Sequence, residues 1–245
     1  RAPRVYNGVY RFHLLFPCVQ QLCREGSPED QRYVGVCLLR SLLESLPSLS
    51  TQVEFLTVRS REIHQMMKSV LEYVGGMDTE TRRKEAFLTL KRCISHIEVH
   101  ERKRVYLHLI KHVHHDRAVA IVIDELRQDV ASTYTAFETG KIPMDQLASH
   151  PILSYATLYE VLEYCIGLTG DLQIMTICDL LISTLNLYRF LLLKESNSTC
   201  TVKLGFLEEN KIKEFDEKVL KEFLRRLDAG YMSVRGELDK RGGDD

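Results

Sequence analysis

The amino-acid sequence predicts an all-α fold, and three observations support this prediction. Apolar residues recur with helical spacing in successive segments, those segments come in pairs, and turn residues are scarce. The chain of 245 residues holds only 13 glycines and 6 prolines, whereas sandwiches and barrels need a turn roughly every 8–12 residues. Because 44% of the residues are apolar and 27% are charged, the composition is that of a globular protein.

The clearest helical pair lies in the middle of the chain. Two apolar stripes occur there, each with the spacing of one helix face. They consist of Val105, Tyr106, Leu109, Ile110 and Val113, and of Val119, Val122, Ile123, Leu126 and Val130. We expect helices over about 99–114 and 117–137, with Asp116 as the N-cap of the second. The link between them is short, which predicts that they are antiparallel.

The same unit recurs along the chain, and turn residues separate its two helices. The first pair covers about 5–25 and 29–46, the second about 59–74 and 79–97, and the fourth about 151–168 and 171–195. In the second pair, Gly75-Gly76 ends the first helix and Asp78 caps the second. In the fourth pair, Gly170 lies between the two helices and Asp171 caps the second. A final long helix is predicted from about 207 to 239, with an apolar stripe. That stripe consists of Phe215, Val219, Phe223, Leu227, Tyr231, Val234 and Leu238.

The spacing between pairs is typical of a HEAT/armadillo-like solenoid, in which repeats of about 40–47 residues stack side by side. The prediction is therefore a solenoid of antiparallel helix pairs that ends in a long C-terminal helix. The segment Ile174–Leu193 is apolar nearly all round, so we expect it to be buried between its neighbours. A compact, irregular helical bundle is the alternative architecture.

The sequence predicts one helical repeat domain over 1–240. A weak joint is expected in the loop at 138–150, which contains Gly140 and Pro143. The tail, 241–245, has no apolar residue with which to pack and is expected to be disordered. Because the chain starts at Arg1 and not at Met, we expect it to be a fragment of a longer protein.

Charge and cysteine content narrow the class of protein. The formal net charge is −1, which argues against a dedicated nucleic-acid or anionic-membrane binder. No run of about 18 uncharged apolar residues is present, so no transmembrane segment is predicted. The seven cysteines are odd in number and form no CxxC motif, which favours free thiols in a reduced, intracellular protein.

Residues that suggest chemistry have simpler interpretations. His108 and His112 lie one helical turn apart, as in zinc sites, but basic residues surround them and the sequence offers no closing ligand, so we expect no metal. Cys18, Cys23 and Cys37 are expected to pack in the core. The segment 91–117 is basic and histidine-rich. Its only aromatic residue, Tyr106, lies on the apolar stripe that is expected to form the core, so aromatic residues that could stack on bases are nearly absent and no nucleic acid is expected.

No motif for catalysis is present. The sequence contains no nucleophile elbow, no phosphate-binding loop, no dinucleotide-binding glycine pattern and no pair of carboxylates in an apolar setting. We therefore expect a non-enzyme without a cofactor. A stack of helix pairs instead offers an extended surface for binding other proteins.

Four segments stand out beyond their apolar spacing. Two come early in the chain, Glu54-Phe55-Leu56-Thr57 and Glu80-Thr81-Arg82-Arg83-Lys84. The two later ones are Ser183-Thr184-Leu185-Asn186-Leu187-Tyr188-Arg189-Phe190-Leu191-Leu192-Leu193-Lys194-Glu195 and Leu204-Gly205-Phe206-Leu207-Glu208-Glu209, and the terminal helix with Tyr231 follows them. Together these segments resemble the C-terminal half of the glomulin family, which includes the plant aberrant-lateral-root-formation proteins. The resemblance runs through about 36–240 and is clearest in the two later segments. The loop at 138–150 does not match well.

The resemblance implies a function. Glomulin-like proteins are HEAT-like solenoids whose C-terminal part binds the RING subunit of cullin–RING ubiquitin ligases and covers the surface that recruits the ubiquitin-conjugating enzyme. A chain of this kind would inhibit the ligase by occlusion, without catalysis, in the cytoplasm and also in the nucleus. A generic HEAT-type structural scaffold or adaptor with no ligase role remains the alternative.

The resemblance also suggests which residues bind the partner. Polar residues in the matched segments are the candidates, because the matched apolar residues are more simply explained as core. The candidates are Asn186, Arg189, Lys194, Glu208, Glu209 and Tyr231. Surface solubility and helix capping are the competing explanations for each of them.

Overall fold

The structure is a computed structural model. It describes residues 7–46, 60–76, 79–148, 150–167, 174–197 and 205–221, together with 224–225, 227–229, 231–232 and 235–236. All regular secondary structure in these residues is helical, so the predicted all-α fold is confirmed for the described part of the chain.

Ten α-helices and one π-helical turn make up the described structure. They are α1 (Gly8–Leu22), α2 (Glu29–Glu44), α3 (Ser60–Gly76), α4 (Glu80–Ser95), α5 (Val99–His112), α6 (Asp116–Glu138), α7 (Met144–Ala148), α8 (Tyr155–Gly167), α9 (Ile174–Asn197) and α10 (Glu209–Phe215). The π-helical turn Asp216–Leu220 follows α10 directly, and the described residues beyond it are also helical. Among these residues no helix is both long enough and apolar enough to cross a membrane.

The chain divides into two compact units, Arg1–Glu125 and Leu126–Asp245. The boundary lies within α6, whereas the sequence suggested a joint at 138–150. Part of that segment forms the short helix α7 rather than an uninterrupted loop. The prediction of one domain over 1–240 stays a prediction, and the tail at 241–245 lies outside the described residues.

Helix ends follow local capping chemistry that differs in places from the prediction. Asp116 is the first residue of α6 rather than the residue before it. The helix expected from 151 begins at Tyr155, because the hydroxyl of Ser154 accepts a hydrogen bond from the backbone N–H of Thr157 at 3.2 Å. This is the N-cap geometry of a serine. The proposed caps Asp78, Gly170 and Asp171 lie outside the described residues.

Pairs of helices form the first unit, with apolar side chains between them. α1 packs on α2, and α3 packs on α4. The stripe predicted for α5, from Val105 to Val113, is buried, and so are Val119, Val122 and Ile123 of α6. Burial of such side chains contributes roughly 1.5–3 kcal/mol each, which is why the apolar spacing located these helices correctly.

α2 and α4 run in the same direction, as the order of their contacts shows. Asp30 accepts a hydrogen bond from Arg82 at 2.8 Å, and Glu44, further along α2, pairs with Arg92, further along α4. Between these contacts, the hydroxyl of Tyr33 donates to Glu85 at 2.5 Å. Residue numbers therefore increase together along both helices.

α3 and α5 are likewise parallel neighbours. The ring of His64 on α3 lies 5.3 Å from that of His108 on α5. At the C-terminal end of α3, a Cβ atom added to Gly75 would lie 2.5 Å from the ring of His115, which follows the end of α5. Only glycine allows the end of α3 to approach that ring so closely.

An aromatic cluster holds the second unit together, between α8, α9 and the segment that leads into α10. The ring centroids of Tyr188 and Phe215 are 3.9 Å apart, those of Tyr155 and Phe206 are 4.8 Å apart, and Tyr188 also contacts Phe206 at 6.3 Å. Phe206 and Phe215 are almost completely buried. Large aromatic side chains provide much of the buried area in such contacts.

The expected burial of Ile174–Leu193 on all sides is wrong for one face. Ile182 is 58% exposed and Leu193 is 48% exposed, although Leu180, Leu187 and Leu191 are buried. The stripe predicted for the terminal helix is also only partly buried, since Phe215 is enclosed while Tyr231 is 61% exposed.

The six described cysteines are thiols with different surroundings, and Cys200 lies outside the described residues. Cys23, Cys93 and Cys165 are buried, and burial raises the pKa of the Cys93 thiol to about 12. Cys18 is exposed, which contradicts the expectation that it packs in the core. It lies on the outer side of α1, opposite the buried Phe12, Phe16 and Val19.

Candidate protein-binding surface

The exposed residues of α9 lie on one side of the helix, which we call the α9 outer face. They follow one another at intervals of three or four residues, the spacing of one helical face. The face consists of Asp179, Ile182, Asn186, Arg189, Leu193 and Ser196. On the opposite side Leu187, Tyr188 and Leu191 are buried, and Tyr188 belongs to the aromatic cluster. Two of the six predicted binding residues, Asn186 and Arg189, therefore lie together on the α9 outer face.

The α9 outer face combines exposed apolar groups with a cation. Ile182 and Leu193 lie toward its two ends, about 16 Å apart along the axis at about 1.5 Å per residue, with Asn186 and Arg189 between them. Arg189 makes no ion pair with any described residue. Exposed apolar groups beside an arginine resemble the centre of a protein–protein interface, which is more apolar than the rest of the surface and enriched in arginine.

Lys194 is not on the α9 outer face, because its side chain has partners within the unit. Its ammonium group donates to Glu138 at 2.8 Å and lies 5.8 Å from the ring centre of Tyr134. Both partners belong to the C-terminal part of α6. The structure therefore gives Lys194 a role in joining α6 to α9, and a partner protein would have to compete for it.

Glu195 is a residue of this region that the sequence analysis did not single out. Its buried carboxylate accepts a hydrogen bond from the backbone N–H of Gly205 at 2.6 Å and another from Leu207 at 3.1 Å. Hydrogen bonds to a charged acceptor are the stronger kind. They join the end of α9 to the segment before α10, where Gly205 has a φ of 90° and Phe206 enters the aromatic cluster.

The carboxylate of Glu195 directly connects the end of α9 with the segment that contains Gly205 and Leu207. A single glutamate at the end of an apolar helix gives no sequence signal for a partner ten residues later. Its place within one matched segment, with Gly205 and Phe206 in the other, was the only hint.

Glu208 and Glu209 are exposed at the start of α10. Glu208 precedes the helix and pairs with Lys211 at 3.1 Å, while Glu209 is its first residue. Negative charge at a helix N-terminus is favourable in itself, so both residues have a structural role here. Lys211 also lies 4.2 Å from the ring centre of Tyr155. Because the N–H groups of Gly205 and Leu207 bond to Glu195, the chain just before Glu208 and Glu209 is attached to the end of α9.

Tyr231 is exposed in the terminal helical region, where Leu224 and Met232 are also exposed. Among the described residues, no ring contact or hydrogen bond joins Tyr231 to the α9 outer face. The structure therefore brings Asn186 and Arg189 together on one face, while Glu208 and Glu209 lie at the start of α10 and Tyr231 lies in the terminal helical region.

The basic segment at 91–117 has a different character from the one its composition suggests. Lys91 donates to the buried Glu125 at 3.0 Å, and Arg104 pairs with Glu101 at 2.7 Å. Internal pairing of this kind reduces the positive potential available to phosphate groups. In the described part of the chain, no group of three or more His, Cys, Asp or Glu side chains is arranged to hold a metal ion.

The chain matches no family model, and no curated protein is significantly similar to it.

Proposed function

We propose that the chain is a non-catalytic, HEAT/armadillo-type solenoid that binds the RING subunit of cullin–RING ubiquitin ligases. Bound there, as glomulin-like proteins are, it would block recruitment of the ubiquitin-conjugating enzyme. The proposal combines the resemblance of the matched segments with the position of two of their residues on one exposed helix face.

The parallel neighbours in the first unit support a solenoid. In a stack of helix pairs, the first helices of successive pairs lie side by side in parallel, and so do the second helices. The contacts of α3 with α5 and of α2 with α4 have this arrangement. An irregular bundle would not require the same parallel arrangement to occur twice.

The α9 outer face is the observation that carries the binding function. Its polar residues project from a helix whose other side is fixed by buried aromatic contacts, so they are held at constant positions. We expect Ile182 and Leu193 to contact the apolar patch with which a RING recruits its partner, and Arg189 to pair with an acidic group beside it. A rigid surface over such a patch inhibits without any chemical step.

The direct test is binding of the chain to a purified cullin–RING subunit complex, with and without the charge reversal Arg189→Glu. If Arg189 is an interface anchor, the reversal weakens binding by about 1–2 kcal/mol or more, which is roughly 5–30-fold in dissociation constant. The melting temperature should change little, because Arg189 is exposed and makes no ion pair within the described part of the chain.

The control is Lys141→Glu, which makes the same charge change at another exposed position of the second unit. It should leave binding unaltered. Ubiquitin-chain synthesis by the ligase should fall in the presence of the chain and recover with Arg189→Glu. If ubiquitin-chain synthesis is undiminished at micromolar concentrations of the protein and no binding is measurable, the proposal is rejected. The generic scaffold then remains as the interpretation.

A further inference from the structure

Three histidine rings form a continuous stack between α3 and α5 of the first unit. The ring of His108 lies 5.3 Å from that of His64 on α3 and 4.4 Å from that of His112 on its own helix. The planes of neighbouring rings are inclined by 29° and 22°. The stack is thus one of the contacts by which α3 and α5 lie side by side.

Hydrogen bonding in the stack suits neutral rings. His112 Nδ1 lies 2.9 Å from the carbonyl oxygen of His108. Because a carbonyl oxygen can only accept, Nδ1 of His112 carries the proton. His108 Nε2 is buried and has no hydrogen-bond partner in the described structure. A proton added there would create a charged donor without an acceptor, which is costly in a buried site.

The groups around the stack add further resistance to protonation. From α3, the ammonium group of Lys68 faces the rings and is held 3.5 Å from Glu72. From α5, Glu101 and Arg104 lie near His64 as an ion pair. Among the charged groups that act on His64 and His108, only Glu101 favours a protonated ring; Lys68 and Arg104 oppose protonation, as does every other ring of the stack once charged.

We propose that the three-histidine stack is an acid-sensitive contact, which holds α3 and α5 together when its rings are neutral and loosens when they are protonated. Two charged rings at 4–5 Å would repel each other well within the screening length of about 8 Å at physiological ionic strength. The proposal concerns the first unit only, and it does not depend on binding at the α9 outer face in the second.

The direction of the pH dependence follows from the surroundings of the rings. Burial lowers the pKa of His108, and the neighbouring His112, His64 and Lys68 lower it further. Burial also lowers the pKa of His64, which Glu101 partly offsets. In the unfolded chain a histidine has a pKa of about 6.5. As the pH falls below that value, the unfolded chain therefore takes up protons that the folded unit resists, and stability is lost.

The test is thermal and urea unfolding of the full chain between pH 7.5 and 5, compared with the variant His108→Phe. For each unit by which the folded pKa lies below its ordinary value, acidification raises the unfolding equilibrium constant by up to about tenfold. His108→Phe keeps an aromatic ring in the stack but cannot take up a proton. Its unfolding constant should therefore rise clearly less over the same pH range than that of the wild type.

The matched control is His114→Phe, because His114 is exposed and has no part in the stack. It should retain the full pH dependence. Hydrogen exchange, corrected for intrinsic rates, should show α3 and α5 opening more at pH 5.5 than at pH 7.5. Should His108→Phe not fold, His64→Phe replaces the ring that α3 contributes to the stack. Burial lowers the pKa of that histidine as well, so this variant should also lose part of the pH dependence.

Equal pH dependence in the wild type and the stack variant would overturn the proposal. So would an NMR titration in which His108 takes up its proton at the same pH as His114, or unchanged protection of α3 and α5 in acid.

Discussion

The two units of the chain hold their helices together by different means. In the first unit, polar and charged side chains cross between neighbouring helices at the surface: Tyr33 and Arg40 both contact Glu85, and Arg92 contacts Glu44. In the second unit, a cluster of aromatic rings and one buried carboxylate make most of the corresponding connections, beside the ion pair of Lys194 with Glu138.

This difference predicts that the units respond differently to their surroundings. Exposed ion pairs contribute little energy each and weaken with salt, and histidines take up protons in mild acid. The stability of the first unit should therefore vary with salt concentration and pH. Aromatic burial involves no charge that salt can screen or mild acid can neutralise. The unit that carries the α9 outer face should therefore be the less sensitive of the two.

The largest effect should come from Phe215→Ala in the second unit. Phe215 is almost completely buried and stacks on Tyr188, so truncation removes apolar contacts and leaves a cavity. The expected loss is about 3–5 kcal/mol in the free energy of unfolding, measured by urea titration. Leu224→Ala, at a position 55% exposed, is the control and should cost far less. A loss below about 1 kcal/mol for Phe215→Ala would mean that the aromatic cluster does not hold this unit together.

A smaller effect is expected from Glu195→Gln, which removes the charge and replaces one acceptor oxygen by an amide. The backbone N–H of Gly205 or of Leu207 then loses its acceptor in a site of low exposure. We expect a loss of about 1–3 kcal/mol, with faster hydrogen exchange at Gly205 and Leu207. The control Glu163→Gln makes the same change at an exposed position of α8 and should have little effect. Similar losses in both variants would show that the two hydrogen bonds do not stabilise the unit.

Hydrophobic spacing located most of the described helices, because burial of one face is what fixes a helix in a fold. It could not tell how many faces of α9 are buried. Apolar residues such as Ile182 and Leu193 satisfy the same pattern whether they lie in a core or at a surface, and only the positions of the neighbouring helices decide between the two.

The contacts that join distant segments were beyond sequence reasoning for a related reason. The pair His108 and His112 is visible as a helical spacing, but nothing in the chain indicates that His64 completes the stack. The hydrogen bonds from Gly205 and Leu207 to Glu195 are equally invisible. Such contacts depend on tertiary placement and not on local periodicity.

The smallest effect is expected at the surface contacts of the first unit. Arg92 and Glu44 join α4 to α2, and each side chain is about half exposed. A double-mutant cycle of Arg92→Gln and Glu44→Gln should give a coupling energy of about 0.2–1 kcal/mol. The coupling should shrink toward zero in 1 M salt, where the screening length is about 3 Å.

The size of this coupling energy shows how much the surface ion pairs contribute to the stability of the first unit. A coupling energy above about 2 kcal/mol that persists in high salt would lie outside the range measured for exposed ion pairs. Ion pairs would then stabilise the first unit about as strongly as aromatic contacts stabilise the second. A coupling that is small and sensitive to salt leaves the buried stripes of α3 and α5 as the main source of stability there. The charged contacts then serve to align α2 with α4 in parallel, since a shift along the helices would place Arg92 away from Glu44 and Arg82 away from Asp30.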